Sequence, residues 1–599
     1  MHETTVKLGE NFTRESRLML KVLRPGLANT FPRISYGKQN KTMLRLSKKI
    51  LPRMTAGVRS VGNHPDLPLN EPATDFTNDQ VTQKLQEAVG RISKSCEDIP
   101  IVIGGQEFKT SDVKYQVSPY DHQNKIAKFY YADKELIEKA IENALIKRQK
   151  WENMSYDARS RILSRAASLI ATKYRYESLA TCMVGQGKTA IQADIDCVAE
   201  LVDFLRFNVE YGKMIHQSPP LHQPDNIINS VTWRGLEGFV AAISPFNFSA
   251  IGAHLASAPT MMGNVVLWKP SDTAVLSNYH FYKVMQEAGL PDGVVQFVPA
   301  DGPTFGDVIK NNPDLAGITF TGSSRTFRTI WKNIGESIDN FKTFPKIVGE
   351  CGGKNYHFVH EEADIDSVVN GTIRSAFEYS GQKCSACSRV YVPENLWPEI
   401  KEKLITEIEK LKLGRGDDYS SFLSAVIDQT SFNKIKSYIE HASSSTEYEV
   451  LAGGKCDDSV GYFVEPTLIL SHDPRGKLMS EEIFGPVCTV YVYSPDKVDA
   501  ALDLVNTTSP YGLTGSVFSR NREFLDCASN KLRHTAGNFY VNDKSTGSVV
   551  AQQPFGGARG SGTNDKAGML TYLQKWTSPQ AIKESLAPLP HWSYPYMKK

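Results

Sequence analysis

The sequence predicts a doubly wound α/β fold, in which helices cover both faces of largely parallel sheets. Short apolar runs typical of buried strands alternate with longer amphipathic runs typical of helices. The chain has 599 residues, of which 41% are hydrophobic and 22% are charged, so it can bury a large core and divide into several domains. No internal repeat is visible at periods of about 20 to 50 residues, which argues against a solenoid.

The clearest βαβ unit lies in the longest uncharged stretch of the chain, residues 238–268. The length of this stretch raises the possibility of a membrane span, but prolines and polar residues interrupt it. We expect instead a buried strand, a loop, a short helix and a second strand. The predicted bounds are 239–243, 244–249, 250–262 and 264–268. No segment is predicted to span a bilayer.

The same alternation continues on both sides of this unit. The segment 218–229, rich in proline and polar residues, is predicted to form an exposed connection or arm. Further helices are predicted at 134–150, 157–174, 278–288, 365–379 and 398–411, and further strands at 294–298, 317–320, 388–392 and 488–493.

Basic residues are concentrated at the N-terminus. Residues 1–60 contain 13 Lys or Arg and three acidic residues, whereas the whole chain has a formal net charge of only +2. Residues 42–60 combine five Lys or Arg with apolar side chains and no acid, a composition typical of a mitochondrial transit peptide. A basic tail without a targeting role is the alternative. No basic patch elsewhere indicates a nucleic-acid partner.

The nine cysteines predict neither a disulfide scaffold nor a metal site. They are odd in number, spread along the chain and not preceded by a secretory signal, which fits a reducing compartment. Cys384 and Cys387 have the spacing of a zinc or redox pair, but no second pair matches it. The run Gly185-Gln-Gly-Lys-Thr189 lacks the first glycine of a phosphate-binding loop, because Cys182 stands in that place.

Glu350 and Cys384 are the strongest candidates for catalysis. They lie 34 positions apart in two glycine-rich runs, Glu350-Cys-Gly-Gly-Lys354 and Gly381-Gln-Lys-Cys384. A thiol can attack a carbonyl carbon, and a carboxylate can activate the water that hydrolyses the resulting thioester. The alternative is a small buried cysteine and an unrelated surface carboxylate. The neighbouring Lys354 fits either a salt bridge or a solvated lysine.

Several short runs together resemble the aldehyde dehydrogenase superfamily in order and approximate spacing. Besides the two runs around Glu350 and Cys384, they are Ser244-Pro-Phe-Asn-Phe248, Trp268-Lys-Pro-Ser-Asp272, Phe320-Thr-Gly-Ser323, Glu481-Glu-Ile-Phe-Gly-Pro486 and Pro554-Phe-Gly-Gly557. The resemblance implies a Rossmann-type NAD-binding domain, an α/β catalytic domain and a small β oligomerisation arm. It divides the chain into an N-terminal region (1–60), a nucleotide-binding domain in two parts (61–210 and 237–350), an arm (211–236), a catalytic domain (351–575) and a C-terminal tail (576–599).

The resemblance also implies roles for catalytic residues. Cys384 is expected to attack the aldehyde carbon, while the Asn247 side chain and the Cys384 backbone N–H hold the oxyanion. Glu350 is expected to deprotonate the hydrolytic water, and burial in an apolar run would raise its pKa towards neutrality. Members that pass the acyl group to coenzyme A tend to lack this carboxylate, so a free acid is the expected product.

NAD is the implied cofactor. Lys269 is expected to bind the adenosine ribose, Gly322 and Ser323 to approach the pyrophosphate at a helix N-terminus, and Glu482 to bind the nicotinamide ribose with Phe484 beside it. Ser244 belongs to the same expected cleft. Asp272 would repel a 2′-phosphate and so favours NAD over NADP.

Longer runs resemble the branch of the superfamily that acts on glutamate 5-semialdehyde. The most specific are Asn542-Asp-Lys-Ser-Thr-Gly-Ser-Val-Val550 and Gln552-Gln-Pro-Phe-Gly-Gly-Ala-Arg559. That branch implies a small-molecule substrate in the mitochondrial matrix and a homodimer or larger homo-oligomer. The alternatives are an enzyme for another small anionic aldehyde, such as succinic semialdehyde, or a catalytically silent binding protein. The implied substrate-binding residues are Gly547, Ser548 and Ser385 for the carboxylate, with Glu200, Phe248 and Phe555 shaping the pocket.

Overall fold

The computed structural model of the protein describes residues 67–598. The predicted targeting segment and the predicted N-terminal region lie outside these residues. Seventeen α-helices are present in the described part: α1 (Asp79–Ser93), α2 (Lys134–Glu152), α3 (Tyr156–Ala171), α4 (Arg175–Gln186), α5 (Ala190–Ala193), α6 (Leu201–His216), α7 (Ser249–Met261), α8 (Val275–Glu287), α9 (Gly302–Lys310), α10 (Ser324–Glu336), α11 (Ile365–Phe377), α12 (Trp397–Glu409), α13 (Gln429–Ser444), α14 (Lys477–Ser480), α15 (Val498–Thr507), α16 (Arg522–Lys531) and α17 (Leu570–Gln574).

The strands of the described residues are β1 (Glu97–Ile99), β2 (Ile101–Ile103), β3 (Gln106–Phe108), β4 (Val113–Ser118), β5 (Asp121–Tyr130), β6 (Ile227–Arg234), β7 (Phe239–Ile243), β8 (Val265–Lys269), β9 (Val295–Phe297), β10 (Leu315–Thr321), β11 (Lys346–Glu350), β12 (Asn355–Val359), β13 (Cys387–Pro393), β14 (Tyr448–Ala452), β15 (Cys456–Asp457), β16 (Phe463–Val464), β17 (Thr467–Ser471), β18 (Val487–Tyr493), β19 (Tyr511–Gly512), β20 (Thr514–Phe518), β21 (Asn538–Val541), β22 (Ala558–Arg559) and β23 (Ser578–Ser585). A π-helix at Asp194–Glu200 joins α5 to α6.

Two seven-stranded sheets form the framework. The first has the order β11-β10-β7-β8-β9-β2-β3. Its strand pairs are parallel from β11 to β9, and the β9–β2 and β2–β3 pairs are antiparallel. The second has the order β14-β17-β18-β13-β12-β20-β21 and is parallel except for β14. The chain passes from one sheet to the other between Glu350 and Asn355. The predicted α/β fold with doubly wound sheets is therefore confirmed.

Strand β7 shows how the first sheet packs. Val240 and Ala242 face one core together with α7, whereas Phe239 and Ala241 face the opposite core together with α2. Burial on both faces explains why β7 is apolar at every position rather than alternating. This is the strand predicted at 239–243, and its partner β8 lies one residue beyond the predicted 264–268.

The predicted helix at 365–379 ends two residues early, at Phe377. Tyr379 and Ser380 adopt the left-handed region, with φ of 51° and 52°, so the α-helix cannot continue through them. They form a tight turn that leads directly to Cys384.

The C-terminal strand β23 pairs with β6 over eight residues, from Ser578 opposite Arg234 to Ser585 opposite Ile227. The resulting ribbon is largely exposed, including the apolar side chains of Ile228 and Ile582. The predicted arm at 218–229 therefore becomes a strand only from Ile227 onwards. In the described part of the chain, no helix has the length and apolar character needed to cross a membrane.

All nine cysteines lie within the described residues, and two of them are joined. A disulfide links Cys182 in α4 to Cys197 in the π-helix, and the other seven are free thiols. The sequence did not predict this bridge. Because it joins neighbouring helices of one core, it is a local link and not a scaffold.

Candidate functional site

The site is built at the carboxyl ends of four neighbouring strands of the first sheet. Asn247 follows β7, Lys269 ends β8, Thr321 ends β10 and Glu350 ends β11. Parallel strands bring these ends to one edge, which is where open α/β sheets bind ligands. The second sheet contributes Cys384, just before β13.

Cys384 lines two cavities. The outer cavity has a volume of about 370 Å³, and the inner one of about 40 Å³. The outer cavity is lined by, among others, the predicted residues Ser244, Asn247, Gly322, Ser323, Glu482 and Phe484, and the inner one by Glu200, Glu350 and Phe555. A third cavity, of about 940 Å³, is lined by Lys269 and shares Ile243 and Thr326 with the outer cavity.

Cys384 is half-buried, and its backbone is held in place. Its backbone carbonyl accepts a hydrogen bond of 2.7 Å from the Asn355 side chain. Burial raises the pKa of the thiol, and the nearby carboxylates of Glu350, Glu482 and Glu200 raise it further. The resting side chain is therefore a neutral thiol, which needs a base when it reacts.

The Asn247 side chain is oriented by the turn before Cys384. Its Nδ2 donates a hydrogen bond of 3.1 Å to the backbone carbonyl of Gln382, and the residue is 4% exposed. The amide carries two N–H donors, so one is available to a ligand in the outer cavity. Asn247 and Cys384 are therefore brought together as the sequence predicted.

Glu350 lies against the glycine-rich segment that contains Gly556 and Gly557. Its Oε2 accepts a hydrogen bond of 3.0 Å from the Gly557 backbone N–H. A Cβ atom at Gly556 would lie 3.1 Å from Glu350 Oε1, a tight contact that would require the carboxylate to shift by a few tenths of an ångström. Burial raises the pKa of Glu350 to about 8, partly opposed by Gly557 and Lys566 and reinforced by Asp565.

A buried ion pair supports this site from behind. Lys188 Nζ lies 2.5 Å from Asp196 Oδ2, and both side chains are at most 1% exposed. The Asp196 carboxylate also accepts hydrogen bonds of 2.9 Å from the backbone N–H groups of Ser249 and Ala250, the first residues of α7. Asp196 therefore fixes the start of α7, which begins two residues after Asn247.

The same network reaches two of the predicted pocket residues. Lys188 Nζ lies 4.3 Å from the ring centre of Phe248, a cation–π contact. Glu200 ends the π-helix that carries Asp196, and burial raises its pKa to about 8, with Asp196 raising it further. The sequence did not predict a role for Lys188, because the run Gly185-Gln-Gly-Lys-Thr189 indicates only an incomplete phosphate-binding loop.

The predicted cofactor residues differ in how many of their hydrogen-bonding atoms already have a partner within the protein. Ser244 Oγ accepts from Trp268 Nε1 at 2.7 Å and donates to the Gly252 carbonyl at 3.2 Å, so its hydroxyl is already engaged. Ser323 caps α10 by accepting from the Thr326 N–H at 3.1 Å. Lys269 Nζ makes one long contact, 3.4 Å to the Pro270 carbonyl. Burial lowers the pKa of Lys269, opposed by Asp272.

Asp272 is held by the hydroxyl of Tyr131, which donates to its Oδ2. It is not among the described residues that line the cavities. Its predicted influence on the adenosine ribose stays a prediction.

Glu482 and Phe484 close the outer cavity near Cys384. Glu482 Oε1 accepts a hydrogen bond of 2.8 Å from the Gly353 N–H, and burial raises its pKa. Phe484 packs edge-on against Phe246, with ring centres 5.8 Å apart.

The turn at Gly547 and Ser548, which is predicted to bind the substrate carboxylate, lies near Cys384. The contact is made between the preceding residue, Thr546, and Ser385, which follows Cys384. Ser385 Oγ lies 2.7 Å from Thr546 Oγ1, and both residues are buried. Gly547 then turns with a φ of 86°, and Ser548 follows half-buried. The pKa of the nearby Tyr540 is raised to about 12, chiefly by burial and then by Asp543, and a hydrogen bond with Ser548 opposes the shift.

Two lysines near the site are buried, and Lys354 differs from both sequence expectations. Lys354 is neither solvated nor in a salt bridge: it is 2% exposed, its Nζ has no hydrogen-bond partner in residues 67–598, and burial lowers its pKa to about 7. Lys383, next to Cys384, is buried, and its Nζ lies 2.8 Å from the Glu378 carboxylate. The sequence gives no signal for this internal pair.

Residues 108–582 match the family model described as the aldehyde dehydrogenase family. The chain belongs to the aldehyde dehydrogenase family. Within this family it is 56% identical over 531 residues to the Homo sapiens protein named delta-1-pyrroline-5-carboxylate dehydrogenase, mitochondrial, an alignment that covers 88% of this chain and 94% of that protein. The protein of the same name from Dictyostelium discoideum is 51% identical over 533 residues, 88% of this chain and 96% of that one.

Solved structures of family members agree with these relatives. The delta-pyrroline-5-carboxylate dehydrogenase from Mycobacterium tuberculosis bound with NAD has a TM-score of 0.85 and 39% identity, over 90% of this chain and 100% of that one. The 1-pyrroline-5-carboxylate dehydrogenase from Thermus with bound NAD has a TM-score of 0.82 and 32% identity, over 87% and 100% of the two chains.

We expect the buried ion pair to be essential for stability. Lys188→Met removes the cation and leaves the Asp196 carboxylate buried, which should lower the free energy of unfolding by about 3 to 5 kcal/mol. Thermal unfolding followed by circular dichroism measures this loss. The matched control is Lys283→Met, which breaks the exposed Lys283–Glu97 pair and should leave the melting temperature nearly unchanged. Equal melting temperatures for the two variants would contradict the prediction.

Proposed function

We propose that this protein is an NAD-dependent dehydrogenase that oxidises L-glutamate 5-semialdehyde, which is in equilibrium with 1-pyrroline-5-carboxylate, to L-glutamate. This is the second step of proline breakdown. The observation that carries the proposal is the position of Cys384, which lines both a long cleft with polar groups and an inner chamber that holds Glu350. Relatives more than half identical over most of the chain bear the name of this activity.

The residues that line the cleft fit NAD. The cavities beside Lys269 and Cys384 share lining residues, and the α10 N-terminus offers backbone N–H groups to a pyrophosphate. Lys269 can bind ribose hydroxyls at one end, and Glu482 can do so at the other. When bound, NAD would supply the acceptor for the hydride that the tetrahedral adduct of Cys384 and the aldehyde loses as it becomes a thioester. Glu482 and Phe484 border the thiol side of the cleft.

Cys384 carries out the first covalent step. Its thiol gives up a proton, its sulfur bonds the aldehyde carbon, and the carbonyl oxygen becomes an oxyanion. Glu350 is the carboxylate suited to accept that proton, since it lines the inner chamber with Cys384. The free N–H of Asn247 and the Cys384 backbone N–H stabilise the oxyanion.

Glu350 acts as the base in hydrolysis of the thioester. Once the thiol proton has passed from Glu350 to solvent, the carboxylate takes a proton from water, the hydroxide adds to the thioester carbonyl, and the C–S bond breaks. The new carboxylic acid gives its proton to the departing thiolate, which restores the thiol and releases glutamate. The Gly557 N–H holds Oε2, which leaves Oε1 to face the water. The product is a free acid because this carboxylate is present.

The substrate carboxylate is bound by the turn at Gly547 and Ser548. Backbone N–H groups and hydroxyls that converge in a turn suit an anion. The Ser385–Thr546 hydrogen bond ties this turn to the residue after the nucleophile, which sets the distance between the two ends of the substrate. Phe248 and Phe555 form apolar walls for the aliphatic chain, and Glu200 limits the pocket.

The protein acts in the mitochondrial matrix as a homodimer or larger homo-oligomer. The relatives' names and the basic composition of residues 42–60 support the location. The exposed β6–β23 ribbon and the aromatic tail after it, including Trp592, support pairing between copies. The two sheets, which divide after Glu350, support a nucleotide-binding domain ending at residue 350 and a catalytic domain from 351 to 575.

The substrate assignment is tested by NADH formation at 340 nm. We expect 1-pyrroline-5-carboxylate to give a much higher kcat/KM than propanal or succinic semialdehyde. Cys384→Ala should remove turnover of every aldehyde, while NAD binding measured by calorimetry persists. A higher kcat/KM for either of the other aldehydes would refute the assignment, and undiminished activity of the variant would remove Cys384 as the nucleophile.

The anchor turn is tested with Ser548→Ala. Loss of a hydrogen bond to a charged group should raise KM for the semialdehyde about tenfold or more, with KM for propanal unchanged. Steady-state kinetics on both aldehydes measure the ratio. Val549→Ala, at the exposed neighbouring position, is the control and should alter neither KM. A similar increase for both aldehydes in Ser548→Ala would rule out a carboxylate anchor.

The pKa of Glu350 sets the pH dependence of thioester hydrolysis. With the pKa raised to about 8, the carboxylate is mostly protonated at pH 7 and mostly ionised at pH 9. The hydrolysis rate, followed by decay of the acyl-enzyme after rapid mixing, should therefore rise about tenfold between these pH values. Glu350→Gln should hydrolyse slowly at both. A flat profile in the unmodified enzyme would exclude Glu350 as the base.

A further inference from the structure

A short segment near the start of the described residues lies across helices α4 and α6. We call this segment, residues 70–74, the N-terminal strap. The carboxylate of Glu71 makes two ion pairs, with Arg175 of α4 and with Arg206 of α6, each with an N–O distance of 2.7 Å. The Glu71 side chain is only 7% exposed, so solvent screens these pairs poorly. The strap is therefore firmly attached to both helices.

Two buried carboxylates bind the backbone of the strap. Asp203 of α6 accepts a hydrogen bond of 2.7 Å from the backbone N–H of Glu71. Asp194 of the π-helix accepts two from Thr74, at 2.7 Å from its backbone N–H and at 2.6 Å from its hydroxyl. Both aspartates are almost fully buried. These contacts hold the strap independently of the side chain of Asn70, which is therefore available to act on something else.

Asn70 uses both ends of its side-chain amide to join the strap to the loop that follows the anchor turn, Gly547 and Ser548. Its Nδ2 donates to Asp203 Oδ2 at 2.7 Å and to the backbone carbonyl of Val550 at 3.0 Å. Its Oδ1 accepts from Gln552 Nε2 at 2.9 Å. The Val550 carbonyl can only accept a hydrogen bond, so the orientation of the amide is determined. We call this set of contacts the amide bridge.

The loop that receives the amide bridge, residues 549–553, bends back on itself. The Val549 carbonyl accepts hydrogen bonds of 3.0 and 2.9 Å from two backbone N–H groups of the same loop. Ala551 adopts the left-handed region with a φ of 66°, which is unfavourable for a residue with a side chain. Such a loop needs contacts from outside to fix its position. Packing of Val550 on Phe204 of α6 is one such contact, and the amide bridge is another.

We propose that Asn70 is a positioning residue for substrate binding, which holds the anchor turn at its distance from Cys384 by means of the 549–553 loop. The inference deepens the proposed function and rests on the assignment of the anchor turn to the substrate carboxylate. The loop directly follows Ser548, so a bridge to the middle of the loop restrains the position of the serine. An aldehyde without a distal carboxylate does not use the anchor turn and should not be affected by the bridge.

The kinetic test compares Asn70→Ala with the unmodified full-length enzyme. We expect KM for the semialdehyde to rise about fivefold, since a hydrogen bond between neutral groups to the loop is lost, and kcat to stay within about twofold. KM for propanal should not change. In the Ser548→Ala background, Asn70→Ala should raise KM for the semialdehyde by less than about twofold, because the group through which it acts is already missing. Additive effects in the double variant would overturn the proposal.

Asn124→Ala is the matched control. Asn124 is half-buried like Asn70, and its Nδ2 donates to the Ser93 carbonyl at 2.9 Å, at the end of α1. Neither residue lines the cavities at Cys384. The control variant should lower the melting temperature about as much as Asn70→Ala does, while KM for both aldehydes stays unchanged. An increase of KM for the semialdehyde in the control as large as in Asn70→Ala would count against a specific role of the amide bridge.

Hydrogen–deuterium exchange of the backbone amides in residues 547–553 tests the bridge without any substrate. We expect exchange to be about tenfold faster in Asn70→Ala than in the unmodified enzyme or in Asn124→Ala, since the loop loses an external attachment. Unchanged exchange, or an equal increase of KM for both aldehydes, overturns the proposal. Failure of the proposed anchor is recognised separately, because Ser548→Ala alone then affects both aldehydes equally, while the exchange rates still show whether Asn70 holds the loop.

Discussion

The carboxylate of Asp196 is the interaction on which the site depends most. It bonds Lys188 and two backbone N–H groups at the start of α7, and so joins the π-helix that ends at Glu200 to the segment that carries Asn247. A carboxylate buried this deeply is stable only when its charge and its lone pairs are satisfied together. The arrangement therefore tolerates little movement, which suits groups that must meet a developing oxyanion.

The carboxylates around Cys384 also affect the reactivity of its thiol. Glu200, Glu350 and Glu482 all disfavour the thiolate, so the thiol is protected from oxidation and alkylation while the site rests. Loss of the thiol proton therefore requires a base that accepts it.

Much of the site could be predicted from sequence because parallel sheets bring distant strand ends together. Strand β7 and the loop with Asn247 follow from an apolar run broken by Pro245, and Glu350 and Cys384 follow from their glycine-rich runs. The Lys188–Asp196 pair could not be predicted, because a lysine eight residues before an aspartate does not reveal burial. The Ser385–Thr546 contact joins residues 161 positions apart and depends on packing between strands.

Residues near the C-terminus complete the hydrogen bonding of Glu350 and the packing of the first sheet. The donor to Glu350 is Gly557, and the fully buried Trp576 packs where a Cβ at Gly317, in the middle of the first sheet, would lie 3.0 Å from its ring. A chain that ended before Gly557 would lack both the backbone donor to Glu350 and the Trp576 ring that packs on β10. More than 200 residues separate Glu350 from this donor, so a C-terminal truncation would disturb the edge of the first sheet at which Glu350 lies.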